Sequence, residues 1–221
     1  PYISREFHGV WGNFDVVLHI DKNYTIGGTG VLQNPQEIGH GYEDKNKKLK
    51  IKKSEKLSWH FKAENVHDFT WAADPNYSHD IVKTKHGIDL HFFYKNSNDY
   101  KKSWKEVQPY TEKVLDYFIE NIGAYPWQQY SIMQGGDGGM EYAMCTLITG
   151  GKTFNSIMGT IIHELAHSWF QHILANNESK HSWMDEGFTT YISGLASDKI
   201  VKGGKGQPST AGYNGYFYLV K

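Results

Sequence analysis

The stretch that most constrains this chain is residues 160–190, which read TIIHELAHSWFQHILANNESKHSWMDEGFTT. It contains an H-E-x-x-H motif at His163, Glu164 and His167, and 18 residues separate His167 from Glu186. Side chains four residues apart share one face of a helix, so the two imidazoles can bind one metal ion while Glu164 reaches a water on that ion. Imidazole and carboxylate suit a tetrahedral Zn²⁺, and three protein ligands leave one position open, as in catalytic sites. The motif therefore predicts one Zn²⁺ per chain on His163, His167 and Glu186, with Glu164 as the catalytic base.

Apolar residues around the motif recur every three to four positions, which predicts a buried helix. They are Ile157, Met158, Ile161, Ile162, Leu165, Ala166, Trp169, Phe170 and Ile173. Asn155 or Ser156 can cap this helix, and Asp185 and Glu186 are expected in the first turn of the next one, where carboxylates suit the helix dipole. Imidazoles and a carboxylate inside an apolar helix are unfavourable unless they are satisfied, and a metal ion satisfies them. The alternative is a pair of core histidines hydrogen-bonded to their neighbours.

Two motifs together give a family resemblance. HELAHSWF, followed at this distance by WMDEGFTTY, closely resembles the aminopeptidase N family of zinc metallopeptidases. That family also carries a glycine-x-Met-Glu-Asn segment upstream of the zinc helix. This chain has Gly138, Gly139, Met140, Glu141 and Tyr142 in that place, with tyrosine where the family usually has asparagine. The resemblance extends from about residue 60 to residue 221.

The resemblance implies a zinc-dependent aminopeptidase that hydrolyses the N-terminal residue of peptides. The implied partners are peptides with a free N-terminal amine. In the family the upstream glutamate binds that amine, so Glu141 is expected to do so here. A glutamine or glutamate of the family's β domain assists it, and Glu64 is the candidate, with Asn65 as the alternative. A solvated strand end is the other interpretation of this position.

A glycine-rich turn precedes Glu141. Residues 135–139 are expected to form the turn between strands at 130–134 and 142–149. A glycine-rich turn beside an edge strand lets a substrate backbone approach closely and pair with that strand. Gly138, Gly139 and Met140 are therefore candidate substrate-binding residues. A phosphate-binding loop is not favoured, because no lysine and no helix start follow directly.

Alternating apolar residues predict β structure over roughly the first hundred residues. Residues 14–20 alternate, and the chain can turn at 21–23 and run back through 24–32. The lysine-rich segment 45–56 is expected to be a solvated hairpin or an edge strand protected by charge. These strands indicate an antiparallel β domain.

An amphipathic helix is predicted over residues 105–122, after a polar loop at 98–102 and before Gly123, which suits the position after a helix end. The predicted fold class is α+β. An antiparallel β domain is expected over residues 1–101, corresponding to the C-terminal part of the family's N-terminal β domain. The first part of a thermolysin-like zinc catalytic domain is expected over residues 102–221, truncated at its C-terminus relative to the family.

Composition narrows the classes of partner. The 221 residues carry a formal charge of −1, which does not favour nucleic acid or an anionic membrane. Cys145 is the only cysteine, so an internal disulfide and a cysteine metal site are excluded. No apolar run approaches the ~20 residues of a membrane span, which indicates a soluble protein. The chain begins with Pro1 rather than Met, so the lack of a visible leader does not distinguish a cytoplasmic protein from a secreted or cell-envelope protein. The sequence does not determine the oligomeric state.

The family carries a tyrosine that stabilises the oxyanion, several tens of residues after the third zinc ligand. Tyr213, Tyr216 and Tyr218 follow Glu186 too closely for this role, so that tyrosine is expected beyond this chain. Three alternatives to an active aminopeptidase stay open. They are a zinc-binding but inactive fragment, a thermolysin-like endopeptidase, and a peptide-binding protein that uses the edge strand without hydrolysis.

Overall fold

The computed structural model describes residues 9–136, 138–150 and 153–204, and these residues form an α+β protein, as predicted. The strands are β1 (Gly12–Asp21), β2 (Thr25–Gly28), β3 (Val31–Leu32), β4 (Lys56–Val66), β5 (Trp71–Asp74), β6 (Tyr77–Lys83), β7 (Asp89–Lys95), β8 (Gln129–Gly135), β9 (Gly139–Tyr142) and β10 (Cys145–Thr149). The α-helices are α1 (Pro35–Ile38), α2 (Asn98–Asn121), α3 (Phe154–His167) and α4 (Glu178–Ala196). Two π-helical segments, Ser168–Ile173 and Ser197–Val201, follow α3 and α4. The tyrosines at 213, 216 and 218 lie outside the described residues.

The first strands form two small antiparallel sheets. In one, β4 lies between β1 and β3, and the strict alternation of burial in β1 confirms the strand predicted at 14–20. The prediction that residues 24–32 run back along β1 is wrong, because β2 pairs with β5 rather than with β1. The reason is packing: a Cβ on Gly27 would lie 2.6 Å from the Phe93 ring and 2.9 Å from the Met133 sulfur. The glycine therefore lets β2 lie directly on the larger sheet.

Two other predicted segments differ from the structure. Residues 45–55 are exposed and mostly irregular rather than a hairpin or an edge strand. Leu49 and Ile51 stay 44% and 48% exposed, so the segment buries too little apolar surface to offset the entropy cost of ordering a strand. The polar loop predicted at 98–102 is wrong, because these residues form the first turns of α2, which begins after Ser97. Asp99 in the first turn complements the helix dipole there. The predicted end is confirmed, since the amide of Gly123 bonds the carbonyl of Phe118 at 3.3 Å.

The larger sheet has five strands in the order β6-β7-β8-β10-β9. The central pairs β7–β8 and β8–β10 are parallel, and the outer pairs are antiparallel. Helix α2 connects β7 to β8, as a parallel pair requires. This sheet contains strands from both sides of residue 101, so the hydrogen-bonded structure does not break at that point. The division into domains at 101 stays a prediction.

The main core lies between this sheet and the helices α2 and α3. Its fully buried members include Phe92, Trp104, Phe118, Ile132 and Ile161. A smaller core fills the first sheets around Trp59 and Phe61. In the part of the chain that the structure describes, no helix is both long and apolar enough to cross a membrane.

Candidate metal centre and active site

Helix α3 carries the H-E-x-x-H motif, as predicted, and presents its apolar side to the core. The helix begins after Thr153, whose hydroxyl accepts a hydrogen bond from the amide of Ser156 at 3.4 Å, so the cap is Thr153 rather than Asn155 or Ser156. One turn apart on this helix, the Nε2 atoms of His163 and His167 lie 3.2 Å from each other. The two rings are almost perpendicular, at an interplanar angle of 84°. Both nitrogens therefore face one common point.

Helix α4 returns past α3 and brings Glu186 to that point. The chain reverses at Ala175, which has a φ of 53°, and α4 is interrupted at His181, where φ is −135°. This break precedes the turn that carries Glu186. Its Oε2 lies 3.2 Å from His163 Nε2 and 3.9 Å from His167 Nε2. The hydrogen bond to His163 holds the pKa of Glu186 below its usual range, which keeps the carboxylate ionised.

These three atoms fit a tetrahedral zinc ion. Zinc binds imidazole nitrogen and carboxylate oxygen at about 2.0–2.2 Å, which places neighbouring ligand atoms about 3.3–3.5 Å apart. The separations of 3.2, 3.2 and 3.9 Å bracket that range. A single side of the triangle has to shorten by a few tenths of an ångström. His163, His167 and Glu186 are thus able to hold one metal ion together.

A second carboxylate, which the sequence did not single out, lies behind His167. The Nδ1 of His167 donates a hydrogen bond of 2.5 Å to Asp185 Oδ1, and both side chains are completely buried. Burial disfavours a charged imidazole, but the hydrogen bond to Asp185 and the charge of Glu141 outweigh it and raise the pKa of His167 to about 10 in the absence of metal. The sequence signal was present, as Asp185 precedes Glu186. Only the crossing of α3 and α4 shows which side chain it contacts.

Glu164 points away from the core and packs against β9. A Cβ on Gly139 would overlap Glu164 Oε1, so the glycine gives the carboxylate its place. The Glu164 side chain is 5% exposed, and its Oε2 has no hydrogen-bond partner among the described residues. Burial raises the pKa of Glu164 above its usual range, against the opposing effect of the two histidines. A carboxylate with a free oxygen and a raised pKa beside a metal position is suited to accept a proton from water.

Strand β9 forms the edge of the five-stranded sheet and carries Glu141 next to the histidines. Glu141 Oε1 lies 3.9 Å from His167 Nδ1, and burial raises the pKa of Glu141 to about 9. Gly139 and Met140 belong to the same strand. Gly138, with a φ of 54°, immediately precedes it, and its carbonyl accepts bonds from the amide and hydroxyl of Thr149. The candidate residues of this motif thus lie together on one exposed strand edge.

Glu64 is the remaining predicted residue. It is near the end of β4, and its side chain is exposed. Its backbone carbonyl accepts a hydrogen bond from the indole N–H of Trp127 at 3.2 Å. Among the described residues, no hydrogen bond or ion pair joins the Glu64 or Asn65 side chain to Glu141. Asn65 has a φ of 53° and donates its amide to Asn13. A role for Glu64 in substrate binding stays a prediction.

Two imidazoles of one helix, a carboxylate of the next, and a second carboxylate beside them are typical of metal-dependent hydrolases. Residues 109–214 match the peptidase family M1 domain. This match confirms the resemblance seen in HELAHSWF and WMDEGFTTY.

Curated relatives agree with this assignment. The chain is 32% identical over 104 residues to leucine aminopeptidase 2 of Aspergillus clavatus, a match that covers 44% of this chain and 17% of that protein. It is 31% identical over 108 residues to leucine aminopeptidase 2 of Yarrowia lipolytica, covering 45% of this chain and 16% of that protein. It is 33% identical over 91 residues to leukotriene A-4 hydrolase of Xenopus laevis, covering 37% of this chain and 14% of that protein. The chain therefore spans only a small part of the length of the relatives it matches.

Proposed function

We propose that this chain carries the zinc site of an aminopeptidase, a metallo-hydrolase that removes the N-terminal residue of peptides. The observation that carries the proposal is the convergence of His163 Nε2, His167 Nε2 and Glu186 Oε2 within 3.2–3.9 Å of one another, beside the buried carboxylate of Glu164. A zinc ion held there would supply Lewis acidity to the scissile carbonyl and lower the pKa of a water. Residues 102–221 would then form the first part of a thermolysin-like catalytic domain.

Glu164 acts as the general base in this proposal. Its Oε2 has no hydrogen-bond partner among the described residues, and its carboxylate packs against Gly139 of β9. Burial raises its pKa above the usual range, and a base becomes more effective as its pKa moves toward the working pH. Glu164 takes the proton of the attacking water and passes it to the leaving amine.

Glu141 holds the substrate's ammonium group. Its carboxylate is 6% exposed on the strand that borders the site, and a nearby cation would stabilise its ionised form in spite of burial. Because a buried carboxylate and an ammonium satisfy each other, a substrate with a blocked amine leaves Glu141 without a partner. This makes the enzyme an exopeptidase. Strand β9 is the edge strand of the sheet among the described residues, and its edge, with Gly138, Gly139 and Met140, lets the substrate backbone pair beside it.

The first experiment is elemental analysis of the purified chain and of its His167→Ala variant. About one zinc per chain, lost in the variant, supports the site. The second experiment compares an aminoacyl anilide with its N-acetyl form. Turnover restricted to the free amine supports the aminopeptidase, whereas equal turnover of both favours an endopeptidase. Zinc binding without turnover of either would identify an inactive zinc-binding chain.

A further inference from the structure

The Nδ1 atom of His167, on the side of the ring away from the metal position, is contacted by the same helix that supplies Glu186. Asp185 Oδ1 accepts the hydrogen bond from Nδ1 at 2.5 Å, and Thr189 Oγ1 lies 3.3 Å from the same nitrogen. Asp185 and Thr189 are four residues apart on α4, so they share one face, and both are completely buried. Helix α4 thus contacts both nitrogens of His167, one through Asp185 and the other through Glu186.

The hydrogen bond from His167 Nδ1 is the main polar contact that the structure describes for the Asp185 carboxylate. Its second oxygen, Oδ2, is buried and has no hydrogen-bond partner among the described residues. A carboxylate accepts hydrogen bonds and donates none, so Nδ1 of His167 must carry the proton. The lone pair of the neutral ring then lies on Nε2, the nitrogen that faces His163 and Glu186. In contrast, the described contacts of the His163 ring are made by Nε2, and its side chain is 29% exposed.

We propose that Asp185 is a positioning residue that fixes the Nδ1–H tautomer of His167 and thereby sets the affinity of the site for zinc. This inference rests on the proposed function. It predicts an asymmetric pair of imidazole ligands, in which His167 is oriented in advance by the fold and His163 adjusts to the metal. Carboxylates that bond the second nitrogen of a ligating histidine fix its orientation and raise its basicity, and their loss typically costs 10- to 100-fold in metal affinity.

The test is zinc competition against a fluorescent chelator, with three versions of the full chain. They are the wild type, Asp185→Asn, and Asp116→Asn as the matched control. Asp116 also pairs with a histidine, His86 Nε2, at 2.9 Å, but it joins α2 to the connection between β6 and β7 and does not contact the three proposed ligands. Asp185→Asn keeps the size of the side chain and removes its charge, and its zinc affinity is expected to fall about 10- to 100-fold. The Asp116 variant is expected to match the wild type.

A second readout separates orientation of the imidazole from a general loss of stability. In zinc-loaded protein labelled with ¹⁵N-histidine, His167 is expected to show a protonated Nδ1 with a strongly downfield proton, as in a short bond to a carboxylate. That proton is expected to move upfield in Asp185→Asn. The downfield position of that proton in the wild-type spectrum alone tests its bond to Asp185, so the test survives if the variant fails to fold.

The outcomes are distinguishable. A loss of affinity in Asp185→Asn alone, together with the Nδ1–H signal, supports the inference. Unchanged zinc affinity in that variant overturns the inference while leaving the zinc site intact. A wild-type His167 protonated on Nε2 overturns both the inference and the assignment of Nε2 as the zinc ligand, because a protonated nitrogen has no lone pair for the metal. A wild-type chain that binds no zinc overturns the proposed function and this inference with it.

Discussion

Replacing Gly139 with alanine tests how closely Glu164 must be held beside the metal position. The new Cβ would overlap Glu164 Oε1 and would lie 2.9 Å from Glu164 Cδ and from Thr160 Cγ2. Carbon atoms in contact normally lie about 3.5–4.0 Å apart, so the Glu164 carboxyl carbon has to retreat by about 0.6–1.1 Å. The group that moves is the end of a side chain, so the fold is expected to survive while the carboxylate is displaced.

The displacement sets the size of the expected effect. A misplacement of about 1 Å can cost about 100-fold in rate, which corresponds to about 2.7 kcal/mol in the activation barrier. The loss is expected in kcat more than in KM, because the displaced group is the base and the backbone edge of β9 is unchanged. The zinc content is expected to stay the same, since Gly139 does not contact the ligands.

The assay is steady-state hydrolysis of an aminoacyl anilide, with zinc content measured on the same samples. Gly136→Ala is the matched control, because it lies in the same glycine-rich segment and a Cβ there has no atom within 4 Å. If Gly139→Ala and Gly136→Ala have the same kcat, the argument that Gly139 positions Glu164 is refuted.

Three further predictions concern the carboxylates and the buried histidines. Glu164→Gln is expected to keep its zinc and lose about 10²- to 10⁴-fold in kcat, measured on the same anilide, and a surviving rate would exclude Glu164 as the base. Glu141→Gln is expected to raise KM for the free-amine substrate and leave the N-acetyl form as poor as before, and an unchanged ratio between the two would contradict ammonium binding. His79 bonds His91 at 2.9 Å, and burial lowers the pKa of His79 from 6.5 to about 4. As the pH falls, the unfolded chain therefore binds a proton at this histidine before the folded chain does. The free energy of unfolding is unaffected by this group above pH 6.5 and decreases below pH 6.5, by about 2 kcal/mol at pH 5. Urea unfolding of the wild type and of His79→Gln measures this difference, and parallel pH profiles would contradict it.

The local sequence patterns predicted individual elements well. The alternation in β1, the apolar spacing in α3 and the glycine after α2 each reflect short-range rules of backbone geometry and burial. The same rules did not predict strand partners. Strand β2 does not return along β1 because Gly27 packs against Phe93 and Met133, which are distant in sequence. The first turns of α2 were also missed, since polar residues at an exposed helix start resemble a loop.

The sequence by itself determined the family resemblance, the α+β class and the residues of the H-E-x-x-H motif, because histidines four apart on a helix and a glutamate at a fixed distance are local features. Only the tertiary structure decided which face of His167 meets Asp185, that Gly139 makes room for Glu164, and that Glu64 points to solvent. Those contacts depend on how α3, α4 and β9 cross. The crossing follows from packing of the whole core and not from any one segment.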